Sequence, residues 1–267
     1  MKTGGLWGGA LALLLLAPQP APALQAPEAA AAQSFAPPVD RPMTYRVTTR
    51  RIGRDGSLVS FSLVYALQWR RLGRGYRLEA VLQRIDSDAP RQVKRALTLM
   101  LEPLVGEEMA YLVAPDGSRI DLVDPEGLWE RVTARAEAVA AASGRPEGRQ
   151  MAQLVAALPA AGRDRLATAD IRALIAPANG AMRAGAQAEG TSVSMTHSGA
   201  LQTFAEVERD SAAIRGSAQP LEIDNLWTVD TATGLVVREQ RQSWIVEADG
   251  DGRTLVEERV RALEPAS

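Results

Sequence analysis

The sequence predicts an α+β fold in which a helical insertion covers the concave face of a curved antiparallel β-sheet or half-open β-barrel. Three observations predict it. Apolar and polar residues alternate over 43–82, with the period of half-buried strands. Apolar residues then recur at helical spacing over 93–175, and strand patterns return after residue 191. Strands on both sides of a helical segment indicate a single α+β domain.

The N-terminal residues have the features of an export signal. Lys2 supplies a positive charge, and the apolar run from Leu6 to Ala17 has the length of a signal-peptide core. After cleavage we expect a periplasmic or secreted protein without stable membrane insertion. The predicted divisions are a signal peptide over 1–26, a flexible Ala/Pro-rich leader over 27–42 and one domain over 43–265.

The strongest predicted strand is long and carries its large apolar side chains on one face. A shorter strand precedes it from Met43, and a Gly-Arg-Gly turn at 73–75 leads into a third strand that ends near Leu82. These strands predict an antiparallel meander with one apolar face. The stripe on the long strand consists of Val59, Phe61, Leu63, Tyr65, Leu67 and Trp69.

Helical spacing begins after Pro90, in a first helix that carries Met100 on its apolar side. A short hairpin follows over 109–123. Together the later helices form a helical insertion over about 125–177. They are predicted from Asp124 to near Gly144, over about 150–160 and over about 169–175.

Strand patterns fill the C-terminal part of the chain. The clearest turns between them are Thr-Ala-Thr-Gly at 231–234 and Asp-Gly-Asp-Gly at 249–252. These strands complete the predicted α+β domain. They are expected over 191–197, 201–208, 221–229, 235–246 and 253–263.

Composition excludes several classes of function. The chain of 267 residues has 30 basic and 32 acidic side chains, no cysteine and one histidine. A near-neutral balance argues against a nucleic-acid partner. Without cysteine there is no disulfide, thiolate zinc site, iron–sulfur cluster or cysteine nucleophile. We therefore expect no cofactor and no metal site.

Catalytic motifs are missing from the sequence. The one histidine, His197, stands in no G-x-S-x-G, S-x-x-K or H-E-x-x-H context. Close acidic pairs occur, but cross-strand ion pairs explain them better than glycosidase chemistry does. We expect no catalytic residue. The pairs are Asp86/Asp88, Glu107/Glu108, Glu206/Glu208 and Glu257/Glu258.

Aromatic and aliphatic side chains are the candidate ligand-binding residues. A cavity between a curved sheet and a helical cover would be lined by such residues. A filled core requires the same residues, so both interpretations stay open. The candidates are Phe61, Leu63, Tyr65, Leu67, Trp69, Met100, Trp129, Trp227 and Trp244.

An exported chain with two strand blocks around a helical insertion resembles the half-open β-barrel of periplasmic lipoprotein-carrier (LolA/LolB-like) proteins. The segment PLVGEEMAYLVAPDGSRIDLV, from Pro103 to Val123, also resembles one in uncharacterised proteobacterial envelope proteins. The likeness is one of layout over about 43–263, and it implies an acyl chain bound in the concave face under the helices. The helical middle is longer than a carrier needs, and without cysteine this chain is not itself a lipoprotein.

Two hypotheses of different classes follow. The first is a non-enzymatic periplasmic protein that binds or carries a hydrophobic ligand, such as a lipid or acyl chain, between sheet and helices. The alternative is an envelope protein-interaction or scaffold protein with a packed core, whose open edge strands pair with another envelope protein. A hydrolase is the third and least favoured hypothesis.

Overall fold

A computed structural model describes residues 35–52, 57–144, 146–181, 192–214, 217–247 and 252–266. The predicted signal peptide over 1–26 lies outside these ranges, as do residues 27–34 of the predicted leader. Within the described ranges the chain forms one open antiparallel sheet with helices, which confirms the α+β class at this level.

Ten strands form the sheet in the described part of the chain, and each neighbouring pair is antiparallel. Their order across the sheet is β5-β4-β3-β2-β1-β10-β9-β8-β7-β6, so β5 and β6 lie at its two edges. The strands are β1 (Pro42–Ile52), β2 (Leu58–Leu72), β3 (Gly75–Ser87), β4 (Glu108–Val113), β5 (Ile120–Leu122), β6 (Ser192–Ser198), β7 (Leu201–Ile214), β8 (Ser217–Asp230), β9 (Leu235–Val246) and β10 (Arg253–Pro265).

The first and last strands pair in the middle of the sheet. Met43 lies opposite Pro265, and Tyr45 lies opposite Leu263 on one side and Tyr65 on the other. Opposite residues of an antiparallel pair share a face, so β2, β1 and β10 present one continuous surface. The two strand blocks predicted from the sequence therefore join into a single sheet.

The helices lie between β3 and β6 in the chain. A 3₁₀ turn over Glu102–Leu104 follows the first of them. None of the helices within the described ranges is long and apolar enough to cross a membrane. Their bounds are α1 (Arg91–Leu101), α2 (Pro125–Ser143), α3 (Pro146–Ala156), α4 (Ala160–Leu174) and α5 (Ala176–Asn179).

Capping residues set the two ends of α2, whereas α4 begins earlier in the chain than the sequence predicts. The Asp124 carboxylate accepts a hydrogen bond from the backbone N–H of Gly127 at 3.1 Å, and Gly144 ends α2 in the left-handed conformation. Helix α4 begins directly after Pro159 rather than near residue 169. Residues 160–168 are mostly Ala, Arg and Gly, so they show little apolar periodicity.

One face of β1–β4 packs against the helices. The side chains of Leu67, Trp69, Leu78 and Tyr111 are fully buried there. The Tyr111 hydroxyl donates a hydrogen bond to the backbone oxygen of Ala167 in α4 at 2.7 Å. Apolar burial and this hydrogen bond together fix α4 against the sheet.

Residues just before β1 also join this core. The ring of Phe35 meets those of Trp69 and Tyr76 edge to face, with centroids 5.7 and 5.4 Å apart. The backbone N–H of Asp40 donates to the backbone oxygen of Trp69 at 2.8 Å. The C-terminal part of the segment predicted as a leader thus packs against the sheet.

Candidate functional site

An apolar cavity of about 270 Å³ lies between strands β2 and β3 and the helices α1–α4. Its volume is close to the lower end of the range of ligand pockets, about 300 to 1,000 Å³. The cavity is lined by Leu63, Tyr65, Leu82, Met100, Leu101, Leu104, Trp129, Val132, Leu154, Val155, Leu158, Leu166 and Asp170.

Strand alternation and helix periodicity bring these side chains together. Leu63 and Tyr65 are two residues apart in β2, so they share a face, and Tyr65 lies opposite Leu82 of β3. Trp129 and Val132 are three residues apart, which places them on the same side of α2. The wall on the sheet side and the wall on the helix side therefore follow from two different periods of the sequence.

Exposed apolar side chains mark the opening of the cavity. Leu154 is 62% exposed, Leu166 61% and Met100 44%, although each also lines the cavity. The three residues belong to α3, α4 and α1 respectively. Large apolar side chains grouped at a surface are a feature of binding sites, so this rim provides an apolar route of entry.

Asp170 is the only charged side chain among the described residues that line the cavity. The Arg261 guanidinium donates to its carboxylate at 2.9 and 3.1 Å and to the Glu239 carboxylate at 2.7 Å. The Tyr45 hydroxyl donates to the backbone oxygen of Asp170 at 3.0 Å. Asp170 is thus held at the wall by an ion pair and faces the cavity beside neutral donors.

Two phenols near Asp170 stay protonated. Burial, reinforced by the negative charge of Asp170, raises the pKa of Tyr45 and of Tyr65. Neither hydroxyl therefore supplies a phenolate for catalysis near neutral pH.

One polar atom of the cavity lining has no partner in the described part of the chain. The indole N–H of Trp129 is buried and donates to no acceptor there. A buried donor without an acceptor is costly. The Arg163 guanidinium lies 5.9 Å from the centre of the Trp129 ring.

Four of the nine predicted ligand-binding residues line the cavity. Leu67 and Trp69 lie on the same face of β2 but are only 2% and 0% exposed, within the packed core. Phe61 is half-buried on that face, outside the cavity lining. The four residues at the cavity are Leu63, Tyr65, Met100 and Trp129.

The two remaining predicted residues lie in the other half of the sheet. Trp227 of β8 lines a second cavity, formed by β7, β8 and β9. Trp244 of β9 points to the opposite face of the sheet, where the Arg253 guanidinium lies 4.5 Å from the centre of its ring. The structure therefore does not bring these tryptophans to the apolar cavity.

Most residues of the helical wall were not among the predicted ligand-binding residues. Leu154 lies on α3, and Leu158 follows four residues later, just after the end of that helix. Leu166 belongs to the part of α4 that precedes the predicted start of that helix. The helical spacing of leucines within an Ala-rich segment was the available signal.

The one histidine lies on an edge strand of the sheet. His197 is exposed on β6, opposite Gln202 of β7. Among the residues that the structure describes, no three His, Asp or Glu side chains lie close enough together to hold a metal ion. A comparison with models of protein families finds no match, and a comparison with curated proteins finds no similar one.

Proposed function

We propose that this protein is an exported, non-enzymatic binding or carrier protein that shelters one acyl chain in the apolar cavity. Twelve of the thirteen lining residues are apolar or aromatic, and this observation carries the proposal. The exception, Asp170, is ion-paired with Arg261. In this proposal the sheet curves round the ligand and the helices cover its concave face.

The lining supports a particular orientation of the ligand. Each methylene group that leaves water for an apolar wall contributes about 0.8 kcal/mol, so an acyl tail gains by entering. A carboxylate at the inner wall would meet the negative charge of Asp170, which disfavours it there. The tail therefore lies inside, and the polar head remains at the rim near Leu154 and Leu166.

Displacement of a fluorescent fatty acid, together with native mass spectrometry, tests this function. We expect one fatty acid per chain. Leu154→Arg places a charge at the rim and should weaken binding about tenfold or more, because the tail would pass a charged group. Leu72→Arg is the matched control, since Leu72 is 52% exposed at the end of β2 and should leave binding unchanged.

A second variant tests the position of the ligand. Leu101→Trp introduces a larger side chain into the cavity wall, so the preferred fatty acid should become shorter. Absence of any bound fatty acid from the unmodified protein would overturn the proposal. Equal loss of binding in Leu154→Arg and Leu72→Arg would also contradict it, because the effect would then not depend on the cavity.

A second candidate function, pairing with another envelope protein, is favoured by the edge strand β6. Its side chains from 194 to 198 are exposed, and its outer edge pairs with no strand among the described residues. Such an edge accepts an extended peptide as an added strand. Crosslinking in cells should capture one reproducible partner, and Met195→Lys should abolish that capture because lysine blocks edge pairing. Capture that the variant leaves unchanged would exclude this edge.

A further inference from the structure

A second cavity, of about 480 Å³, lies over the other half of the same sheet face. It shares no lining residue with the apolar cavity. Strands β7, β8 and β9 form its floor, and the C-terminal end of α4 with α5 and the residues after it form its side. The floor consists of Phe204, Glu206, Glu208, Trp227, Asn225, Glu239 and Arg241.

The strand register arranges these residues in rows. Phe204 lies opposite Trp227, which lies opposite Glu239, so an aromatic pair leads to a carboxylate. In the next row Glu206 lies opposite Asn225, and Asn225 lies opposite Arg241. Three carboxylates thus stand against one guanidinium in the cavity lining, and the surface they form favours a cation.

Glu206 and Glu208 differ from the other close acidic pairs of the sequence. Glu107 is ion-paired with Arg131 and Arg135, and each of the pairs Asp86/Asp88 and Glu257/Glu258 has at least one arginine partner. Glu206 and Glu208 form no hydrogen bond or ion pair in the described part of the chain, so the expected cross-strand ion pair is wrong here. The residue opposite Glu206 is Asn225, and the residue opposite Glu208 is Ile223.

Glu239 provides an independent sign of a missing partner. Its side chain is 8% exposed, and one carboxylate oxygen accepts the hydrogen bond from Arg261. The other oxygen, Oε2, is buried and has no hydrogen-bond partner within the described residues. A buried carboxylate oxygen without a donor is costly, so a donor in the cavity would stabilise it.

Burial and the charge of Glu208 raise the pKa of Glu206. Ionised Glu206 therefore faces a like charge on its own strand and no compensating cation opposite it. Arg241 follows Glu239 by two residues in β9 and belongs to the same row as Glu206. Asn225 lies between Arg241 and Glu206 in that row. A cationic ligand would supply a charge that none of the residues described by the structure places beside Glu206.

The spacing of the carboxylates selects the class of cation. Glu206 and Glu208 are two residues apart in one strand, about 7 Å, and Glu239 is two strands away, about 10 Å across the sheet. No three carboxylates of the described residues converge as a metal site requires. Separated charges with Trp227 between them match a flexible chain that carries an amine at each end, because ammonium groups and their methylenes pack well on indole.

We propose that this cavity binds a linear di- or polyamine, with one ammonium group at Glu206 and Glu208, another at Glu239 Oε2, and the methylene chain over Trp227. Arg241 lies beside this path and repels the ligand. The site goes beyond the proposed acyl-chain function, because its ligand is a cation rather than an apolar chain.

Isothermal titration calorimetry of the full chain with spermidine tests the proposal. We expect saturable binding to the unmodified protein. Glu206→Gln combined with Glu208→Gln should weaken it by about tenfold or more, because hydrogen bonds to charged groups are lost. Arg241→Gln should strengthen it several-fold, since a repelling charge is removed. A stability defect would not produce these opposite directions.

A charge-matched control separates the site from general attraction of cations. Glu130→Gln combined with Glu137→Gln removes the same two charges from the exposed side of α2 and should leave spermidine binding unchanged. No binding to the unmodified protein, or equal weakening in the two double variants, would overturn the proposal. Magnesium that binds with the same dependence on Glu206 and Glu208 would overturn the choice of an amine. If the Glu206/Glu208 double variant fails to fold, the proposal is tested by Arg241→Gln alone. Spermidine binding that this variant leaves unchanged would then overturn the proposal.

Discussion

Arg261 joins the two halves of the molecule at the scale of a single residue. Its guanidinium lies between Asp170, which lines the apolar cavity, and Glu239, which lines the acidic cavity. Its side chain is only 9% exposed. A buried guanidinium that neutralises two carboxylates is costly to remove, because the carboxylates would stay behind without it.

Arg261→Met should lower the free energy of unfolding by about 3 kcal/mol or more at pH 7, since it leaves Glu239 buried and unpaired. Chemical denaturation followed by circular dichroism measures this. The Glu239 carboxylate would then stay in a buried position with no opposite charge beside it.

Arg119→Met is the matched control for this change. Arg119 pairs with Asp121, but both side chains are largely exposed, so the loss should stay below about 1 kcal/mol. Equal losses in the free energy of unfolding would show that the ion pairs of Arg261 stabilise the fold no more than an exposed ion pair does.

Individual site residues could be predicted only in part from the sequence. Leu63, Tyr65, Leu67 and Trp69 alternate in the same strand, and alternation assigns all four to one face. The structure separates them, because Leu63 and Tyr65 line the cavity whereas Leu67 and Trp69 are buried in the packed core, where the ring of Phe35 contacts Trp69. Periodicity along one element carries no information about the element that packs opposite it.

At the scale of elements, strands were predicted more accurately than helices. Strand β2 has alternating large apolar and polar residues, so its position follows from the sequence. Helix α4 is rich in alanine, which packs on a sheet as readily as it faces water. The start of α4 was therefore missed, and with it Leu166 at the rim of the cavity.

The helices that carry the rim should respond to a ligand. Hydrogen exchange followed by mass spectrometry, with and without a saturating medium-chain fatty acid, should show slower exchange in α1, α3 and the first half of α4. Binding buries Met100, Leu154 and Leu166 and so stabilises these helices against local opening. Strands β7 and β8 should not change.

Leu154→Arg provides the control for this measurement, since it should abolish the slower exchange at the same fatty acid concentration. If hydrogen exchange slowed evenly over helices and strands, this result would contradict binding at the apolar cavity. If exchange slowed only in β7 and β8, the fatty acid would lie at the acidic cavity instead.

At the scale of the whole molecule, one sheet face is divided by chemistry. Over β2 and β3 it is apolar and meets four helices, whereas over β7–β9 it presents Glu206, Glu208 and Glu239. The sequence predicted the strands of both halves and the helical segment between them. It did not predict this division. Arg261 lies opposite Glu239 in the pairing of β10 with β9, and the pairing of β1 with β10 joins this half of the sheet to the half that carries the apolar cavity.

The pairing of β1 with β10 also determines when the fold is completed. Met43 and Pro265 are neighbours in the sheet but lie near opposite ends of the chain. The middle of the sheet therefore stays open until β10 is available, and contacts between such distant segments form slowly. A chain threaded through a membrane from its N-terminus would keep β1 without its second neighbour until the last strand emerged. Completion of the sheet thus waits for the last strand of the chain.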